Sequence, residues 1–129
     1  MANVLVVDDE ADIRALVVRR LQEGGHRVLD AYGAVEATAL IRDKGPPDVV
    51  VLDVSMPGID GLELLSRVRA QTGHADLPAV FLSGRVQPED IAAGDTLGAI
   101  YLTKPFVATA LLAAVEHLAP TPVEAPSGW

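Results

Sequence analysis

The sequence predicts an α/β fold in which a parallel sheet is covered by helices on both faces. Two observations lead to this prediction. Five short runs rich in Val, Leu and Ile alternate along the chain with five segments of helical periodicity. The first run, NVLVV at 3–7, is almost entirely apolar, which is typical of a strand that is buried on both faces. Because crossovers between parallel strands are right-handed, alternating units of this kind place helices on both sides of one sheet.

The first predicted helix follows Asp9 and ends at Gly24-Gly25, since glycine commonly stops a helix. Its apolar face consists of Ile13, Leu16, Val17 and Leu21. The fourth helix contains Gly94 and few strong helix formers, so we expect this segment to be irregular or mobile. The predicted strands are Asn3–Val7, Arg27–Ala31, Asp48–Leu52, Pro78–Leu82 and Ala99–Leu102. The later predicted helices are Val35–Lys44, Asp60–Gln71, Gln87–Asp95 and Pro105–Leu118.

The composition favours one domain. The chain has 129 residues, half of them apolar, which is enough for a single core. It has no cysteine, no apolar run long enough to span a membrane and no basic-flanked secretory signal, so we expect it in the cytoplasm and away from membranes. The net charge of −8 repels nucleic acid phosphates, and we therefore expect no direct nucleic acid binding by this domain.

The last residues differ in character from the rest of the chain. Pro120, Pro122 and Pro126 occur there, and no helix or strand pattern continues through them. We therefore expect a folded domain over residues 1–119, followed over 120–129 by a proline-containing tail or the start of a linker.

Polar side chains follow four of the five predicted strands. Asp8 and Asp9 come after the first strand, Asp53 after the third and Ser83 after the fourth. Lys104 lies just past the fifth strand. Because the carboxyl ends of parallel strands share one edge of the sheet, we expect these side chains to meet in one crevice, where such sheets bind ligands.

The residue types in this set suit phosphoryl chemistry. Three neighbouring carboxylates repel one another unless a divalent cation is bound, and oxygen ligands favour Mg²⁺, with Mn²⁺ as an alternative. Lys104 supplies a positive charge and Ser83 a hydroxyl donor, which would leave an aspartate free to attack phosphorus in line. Taken singly, each residue fits a helix cap, a turn or a solvated surface charge at least as well. Their joint placement at four strand ends favours a site for phosphoryl chemistry over these separate structural roles.

Four motifs resemble the receiver domains of bacterial two-component response regulators, and the resemblance is to receivers like those of the chemotaxis regulators. They are VLVVDDE at 4–10, VVVLDVSMPGIDGLELL at 49–65, FLSG at 81–84 and YLTKPF at 101–106. The match runs over about residues 3–118, nearly the whole chain. The resemblance implies a flavodoxin-like, doubly wound sheet of five parallel strands in the order 2-1-3-4-5, with five helices.

The resemblance also implies roles at the site. Asp53 is the expected phospho-acceptor and also a metal ligand. Asp9 is the expected direct metal ligand, Asp8 acts mainly through metal-bound water, and the backbone carbonyl of Ser55 completes the metal shell. Lys104 is expected to pair with the acidic site and then with the phosphoryl oxygens.

The resemblance also implies a second set of residues, which transmit the conformational change that follows phosphorylation. Ser83 stands at the switch position and is expected to move to the phosphoryl group, and Tyr101 is expected to follow into the vacated space. Arg85, two residues after Ser83, is expected to modulate the lifetime of the phosphoryl group. The bond before Pro105 is commonly cis in this family. The resemblance implies that four residues shape the loops at the site: Pro57, Gly58, Gly84 and Pro105.

The implied partners are a histidine kinase or a histidine phosphotransfer protein upstream. Downstream, an effector is expected on the face formed by the fourth helix, fifth strand and fifth helix. The chain would be either a single-domain regulator or the receiver part of a longer one, with at most self-phosphorylation and autodephosphorylation activity. Two alternatives stay open: a receiver-like module that works without phosphorylation, and a phosphohydrolase with an aspartyl-phosphate intermediate. Such hydrolases commonly carry a second Asp where this chain has Ser55.

The three histidines are not expected to belong to a site. His26, His74 and His117 form no cluster in the sequence, and we interpret all three as surface residues.

Overall fold

The structure, a computed structural model, describes residues 2–119 of the chain. The strands are β1 (Asn3–Val7), β2 (Arg27–Ala31), β3 (Val49–Asp53), β4 (Ala79–Ser83) and β5 (Ala99–Thr103). The helices are α1 (Ala11–Glu23), α2 (Ala34–Lys44), α3 (Gly61–Thr72), α4 (Pro88–Leu97) and α5 (Ala108–Leu118). The predicted tail at 120–129 lies outside the described residues and stays a prediction.

The strands form one parallel sheet in the order β2-β1-β3-β4-β5. Its register pairs Val7 of β1 with Leu52 of β3. Because all strands run in the same direction, the residues after Val7 and at the end of β3 reach the same edge of the sheet. The order and direction confirm the predicted flavodoxin-like, doubly wound fold with five helices.

Each face of the sheet has its own apolar core. Leu5 and Val7 of β1 pack toward α2 and α3, whereas Val4 and Val6 pack toward α1 and α5. This alternation follows from the two-residue period of a strand, and it explains why the central strands β1 and β3 are almost entirely apolar. Burying each such side chain stabilises the fold by about 1.5–3 kcal/mol, so the central strands are firmly fixed supports for side chains at their ends. Within residues 2–119, no helix is long and apolar enough to cross a membrane.

Helix α1 buries a narrower face than predicted. Val17 and Leu21 are buried and Ile13 is partly buried, but Leu16 is 41% exposed. Positions 13, 17 and 21 follow the four-residue spacing that faces the sheet, and Leu16 lies to one side of that row.

Helix α4 is regular from Pro88 to Leu97, so the expected irregularity is wrong. Gly94 faces β5, where an added Cβ would lie 2.8 Å from the carbonyl oxygen of Ala99. The glycine therefore allows close packing of the helix on the strand and does not interrupt the helix. Gly98 ends the helix in the left-handed conformation, with φ of 69°.

The interpretation of His26 as a surface residue is wrong, because His26 is only 7% exposed. Its Nδ1 accepts a hydrogen bond from the backbone N–H of Ala2 at 3.1 Å. His26 directly precedes β2 and lies near Gly24, where α1 ends close to Leu112 of α5. The sequence carries no sign of this packing, since it depends on two distant elements. His74 and His117 are exposed, as predicted.

Candidate functional site

The predicted polar residues lie at the carboxyl edge of the sheet. Asp53 is the last residue of β3, and Asp8 follows the last residue of β1. Both carboxylates are buried, with exposed fractions of 4% for Asp53 and 1% for Asp8. Lys104 follows β5, and its backbone N–H donates to the carbonyl oxygen of Ser83 at 2.7 Å. The ends of β1, β3 and β5 thus bring Asp8, Asp53 and Lys104 together, and Ser83 lies at the neighbouring end of β4.

Asp53 has one hydrogen-bonded and one ion-paired oxygen. Oδ1 accepts a hydrogen bond from the backbone N–H of Ser55 at 3.1 Å. Oδ2 lies 3.2 Å from Nζ of Lys104. Burial raises the pKa of Asp53 above its ordinary value; the charge of Asp8 raises it further, and the contacts with Lys104 and Ser55 only partly oppose the change. The site therefore holds this carboxylate in an electrostatically unfavourable place unless more positive charge arrives.

Lys104 lies among three carboxylates. Its Nζ is 3.1 Å from Oδ2 of Asp8, 3.1 Å from Oε1 of Glu10 and 3.2 Å from Oδ2 of Asp53. Its side chain is only 12% exposed. Burial lowers the pKa of Lys104, but the contacts with the three carboxylates outweigh burial, and the net pKa is raised. Lys104 is therefore held as a cation at the centre of the site.

The loop after Asp53 folds back tightly against the end of β3. Val54 donates its N–H to the carbonyl oxygen of Leu82 at 3.0 Å and accepts one from the N–H of Gly61 at 2.9 Å. A Cβ atom at Gly61 would lie 2.5 Å from the carbonyl oxygen of Asp53, so only glycine fits there. Gly58 adopts a φ of 84°, which glycine tolerates best.

The start of α3 is fixed by the same loop. Asp60 caps the helix by accepting a hydrogen bond from the N–H of Glu63 at 2.8 Å. Pro57 lies exposed in this loop. Across the site, the bond between Lys104 and Pro105 is cis, in agreement with the resemblance.

Ser83 is tied to its own loop. Its Oγ donates a hydrogen bond to the carbonyl oxygen of Arg85 at 2.8 Å and accepts one from the N–H of Arg85 at 3.2 Å. The Arg85 side chain is exposed. A Cβ atom at Gly84 would meet nothing within 4 Å, so no close contact requires glycine there. Ser83 must break both hydrogen bonds before its hydroxyl can reach a group on Asp53.

Tyr101 lies half-buried on β5. Its ring centroid is 4.9 Å from that of Phe81 on β4, with the rings tilted by 37°. Burial raises the pKa of Tyr101, and the charges of Asp90 and Asp60 raise it further. The ring also lies against Gly94 of α4, and it therefore connects the sheet with that helix.

The acidic group differs in one member from the predicted set. Oxygens of Asp8, Glu10 and Asp53 lie within 4.8 Å of one another, whereas Asp9 is exposed and does not belong to this group. Sequence reasoning missed Glu10, although it is the third acid in the run directly after β1. The role of Asp9 as a direct metal ligand stays a prediction.

The donors present fit a hard divalent cation. All three are carboxylates, which Mg²⁺ prefers to softer ligands. Oδ2 of Asp8 is buried and accepts no hydrogen bond from any of residues 2–119; its close partner is the ammonium group of Lys104. A buried carboxylate oxygen with this remaining capacity could bind a cation directly or through water.

Comparison with known proteins identifies the family. The family model described as the response regulator receiver domain matches residues 4–116. The chain belongs to this family. Two curated relatives are the phosphate regulon transcriptional regulatory protein PhoB of Pseudomonas aeruginosa, 34% identical over 115 residues, and the response regulator MprA of a Mycobacterium species, 43% identical over 117 residues. The matches cover 88% and 90% of this chain and 50% of each relative. The chain spans about half the length of the curated relatives it matches.

Solved structures show the same fold. The chemotaxis protein CheY4 of Vibrio cholerae is 35% identical, with a TM-score of 0.80, and the match covers 92% of this chain and 98% of that one. NtrX of Brucella abortus is 39% identical, with a TM-score of 0.79, over 91% of this chain and 26% of that one. Receiver domains of this kind thus occur both as nearly whole chains and as parts of larger ones. The chain is a receiver domain of the response regulator type, which is a signalling domain.

Proposed function

We propose that Asp53 accepts a phosphoryl group from a histidine kinase or a histidine phosphotransfer protein, and that this changes which partner the domain binds. One observation carries the proposal: the buried Asp53 carboxylate lies 3.2 Å from Nζ of Lys104 at the carboxyl edge of the sheet. A carboxylate whose pKa is raised and which faces a single fixed cation is suited to receive an anionic group that the cation can then bind.

The reaction is a displacement at phosphorus. A carboxylate oxygen of Asp53 attacks the phosphorus of a phosphohistidine, a P–O bond forms, and the P–N bond to the imidazole breaks. The leaving imidazole takes up a proton from solvent. Lys104, held as a cation, pairs with the charge that develops on the phosphoryl oxygens.

Magnesium is the proposed cofactor, with Mn²⁺ as an alternative. Asp8, Asp9, Asp53 and the backbone carbonyl of Ser55 are the proposed ligands, and Glu10 lies with two of them. When bound, the ion would neutralise the clustered carboxylates and the phosphoryl oxygens.

Ser83 and Tyr101 are the proposed switch. In the described conformation Ser83 bonds the backbone of Arg85, so binding a phosphoryl oxygen means exchanging those bonds for a charge-assisted one. The β4–α4 loop would then move, and the Tyr101 ring and α4 with it. The face of α4, β5 and α5 is the proposed docking surface for an effector, which can be a separate protein or a further part of a longer regulator. We propose a cytoplasmic location on the basis of this role.

Two other functions make different predictions. A phosphohydrolase would need a general acid near Asp53, but the residue two positions on is Ser55, which has no ionisable group for this step. A receiver-like module without phosphorylation would not need a lysine held among three carboxylates beside a buried aspartate. The residues at the site thus favour a phospho-acceptor over both.

The proposal is tested by incubating the protein with acetyl phosphate and Mg²⁺ and measuring the intact mass and the free phosphate released. We expect a single phosphoryl adduct that Asp53→Asn loses, with phosphate release no faster than decay of the adduct. Many rounds of phosphate release per protein would favour the hydrolase. No adduct at any Mg²⁺ or Mn²⁺ concentration would favour the phosphorylation-independent module.

A further inference from the structure

Glu10 makes a contact that no helix or strand requires. Its Oε1 accepts a hydrogen bond from Nζ of Lys104 at 3.1 Å, although the two residues are 94 positions apart. Asp8 and Asp53, the other carboxylates beside Lys104, are both buried at the ends of strands. The Glu10 side chain is 56% exposed and reaches the ammonium group from the solvent side.

The backbone of Glu10 is held by hydrogen bonds, whereas its side chain does not cap the helix. Glu10 is the N-cap residue of α1, but its side chain makes no capping hydrogen bond. Its N–H donates to Oδ1 of Asp8 at 2.9 Å, and its carbonyl oxygen accepts from the N–H of Arg14 at 2.9 Å. These two bonds orient the residue so that its carboxylate extends toward Lys104 instead of the helix end.

The charge balance shows what this contact does. Asp8, Glu10 and Asp53 carry three negative charges around the one positive charge of Lys104. An incoming phosphoryl group is anionic and must take Lys104 as a partner. Glu10 is the one of the three carboxylates that is exposed, so it can release Lys104 by a side-chain rotation without leaving a buried charge unpaired.

We propose that Glu10 is a positioning residue that holds Lys104 before phosphorylation and competes with the phosphoryl oxygens for its ammonium group. The effect on Lys104 stands by itself, and the effect on phosphorylation rests on the proposed function of Asp53. Removing the Glu10 charge frees Lys104, and it also reduces the electrostatic repulsion of the anionic phosphodonor. An exposed ion pair of this kind changes a rate or an equilibrium by roughly two- to fivefold.

The chain allows a direct measurement of Lys104, because its only other lysine is Lys44, which is exposed at the end of α2. Limiting acylation without Mg²⁺ or phosphodonor, followed by peptide mass analysis, gives the reactivity of Lys104 relative to Lys44. We expect Glu10→Gln to raise this ratio roughly two- to fivefold. Asp12→Asn removes the same charge from an exposed carboxylate two residues away and should leave the ratio unchanged. An unchanged ratio in Glu10→Gln, or an equal rise in both variants, would overturn the proposed hold on Lys104.

The second arm measures phosphorylation by acetyl phosphate at Mg²⁺ concentrations raised until the rate is constant, which removes any effect on ion affinity. We expect Glu10→Gln to be phosphorylated roughly two- to fivefold faster than wild type and Asp12→Asn at the wild-type rate. An equal or slower rate in Glu10→Gln would show that Glu10 does not compete with the phosphoryl group. If wild type itself forms no adduct, the proposed function fails, and the lysine reactivity still decides whether Glu10 holds Lys104.

Discussion

A Cβ atom at Gly94 would lie 3.1 Å from Cδ1 of Tyr101, so helix α4 rests on the tyrosine ring at a position that has no side chain. Gly94 is also the one buried residue of α4, whose other side chains are exposed or partly buried. This contact brings α4 against β5, and Leu97 near the end of the helix also packs on the core. Movement of the Tyr101 ring would displace α4 directly, because no intervening side chain can absorb it.

Gly94→Ala should destabilise the domain even though alanine is the better helix former. Alanine gains about 1 kcal/mol over glycine in a helix interior. The new methyl group would lie 2.8 Å from the carbonyl oxygen of Ala99, and overpacking of this kind typically costs about 1–3 kcal/mol. We expect a net loss of about 1 kcal/mol in the free energy of unfolding, measured with urea. The control Ala93→Gly measures helix propensity alone at an exposed neighbour. A more stable Gly94→Ala variant would mean that α4 does not pack closely on Tyr101.

Asp53→Asn should stabilise the metal-free domain at neutral pH. Because burial raises the pKa of Asp53, the folded protein binds this proton more tightly than the unfolded chain does. The stability linked to this group is therefore present at low pH and lost as the pH rises through the raised pKa. We expect a gain in the free energy of unfolding at pH 7 and a smaller gain in acid. Urea unfolding at both pH values tests this, with Asp76→Asn as the exposed control. A loss of stability at pH 7 would contradict it.

His26 should make the domain less stable in mild acid. Burial lowers the pKa of His26, and the charge of Glu116 only partly opposes this. The unfolded chain therefore binds the proton more tightly, so the stability linked to His26 is present above its ordinary pKa of 6.5 and is lost as the pH falls below it. His26→Asn offers an acceptor for the N–H of Ala2 without titrating, and should lose less stability between pH 7.5 and 5.5 than wild type. His117→Asn is the exposed control. Equal slopes for wild type and His26→Asn would refute the prediction.

Arg85→Ala should change the phosphoryl lifetime without releasing Ser83. The two hydrogen bonds of Ser83 go to the backbone of Arg85, so alanine keeps both of them and removes only the exposed guanidinium. We expect the adduct to decay faster, by up to about fivefold, as for the loss of an exposed charge near an anion. Decay of purified phosphoprotein after removal of the donor measures this. An unchanged decay rate in Arg85→Ala would show that Arg85 does not act on the phosphoryl group.

The convergence of the strand-end residues could be predicted, because the carboxyl ends of parallel strands share one edge of the sheet. Asp53 and Lys104 each follow an apolar run, and the fold brings these positions together whatever lies between them. Glu10 could not be predicted in the same way, since a glutamate at a helix start is ordinarily explained by the helix dipole. Only the structure shows its carboxylate turned to a lysine 94 residues away.

The burial of Gly94 and His26 also could not be predicted from the sequence. Local propensity predicts that Gly94 weakens the helix, because propensity takes no account of a strand packed against that position. His26 has polar and glycine neighbours in the sequence, yet Leu21 of α1 and Ala2 bond to it, and the charge of Glu116 on α5 acts on it. Both errors come from applying local rules to positions that tertiary packing determines.

The most direct test of Asp53 is chemical trapping of the phosphorylated residue. Protein treated with acetyl phosphate and Mg²⁺ is reduced with borohydride, which converts an aspartyl phosphate to homoserine, and is then digested with trypsin. The peptide over residues 45–67 carries Asp53 together with Asp48, Asp60 and Glu63 as internal alternatives. We predict homoserine at position 53, no homoserine at Asp48 or Asp60, and no corresponding alcohol at Glu63. A reduced side chain at another of these acids, or no homoserine at position 53 when the intact mass shows an adduct, would contradict the assignment of Asp53 as the phospho-acceptor.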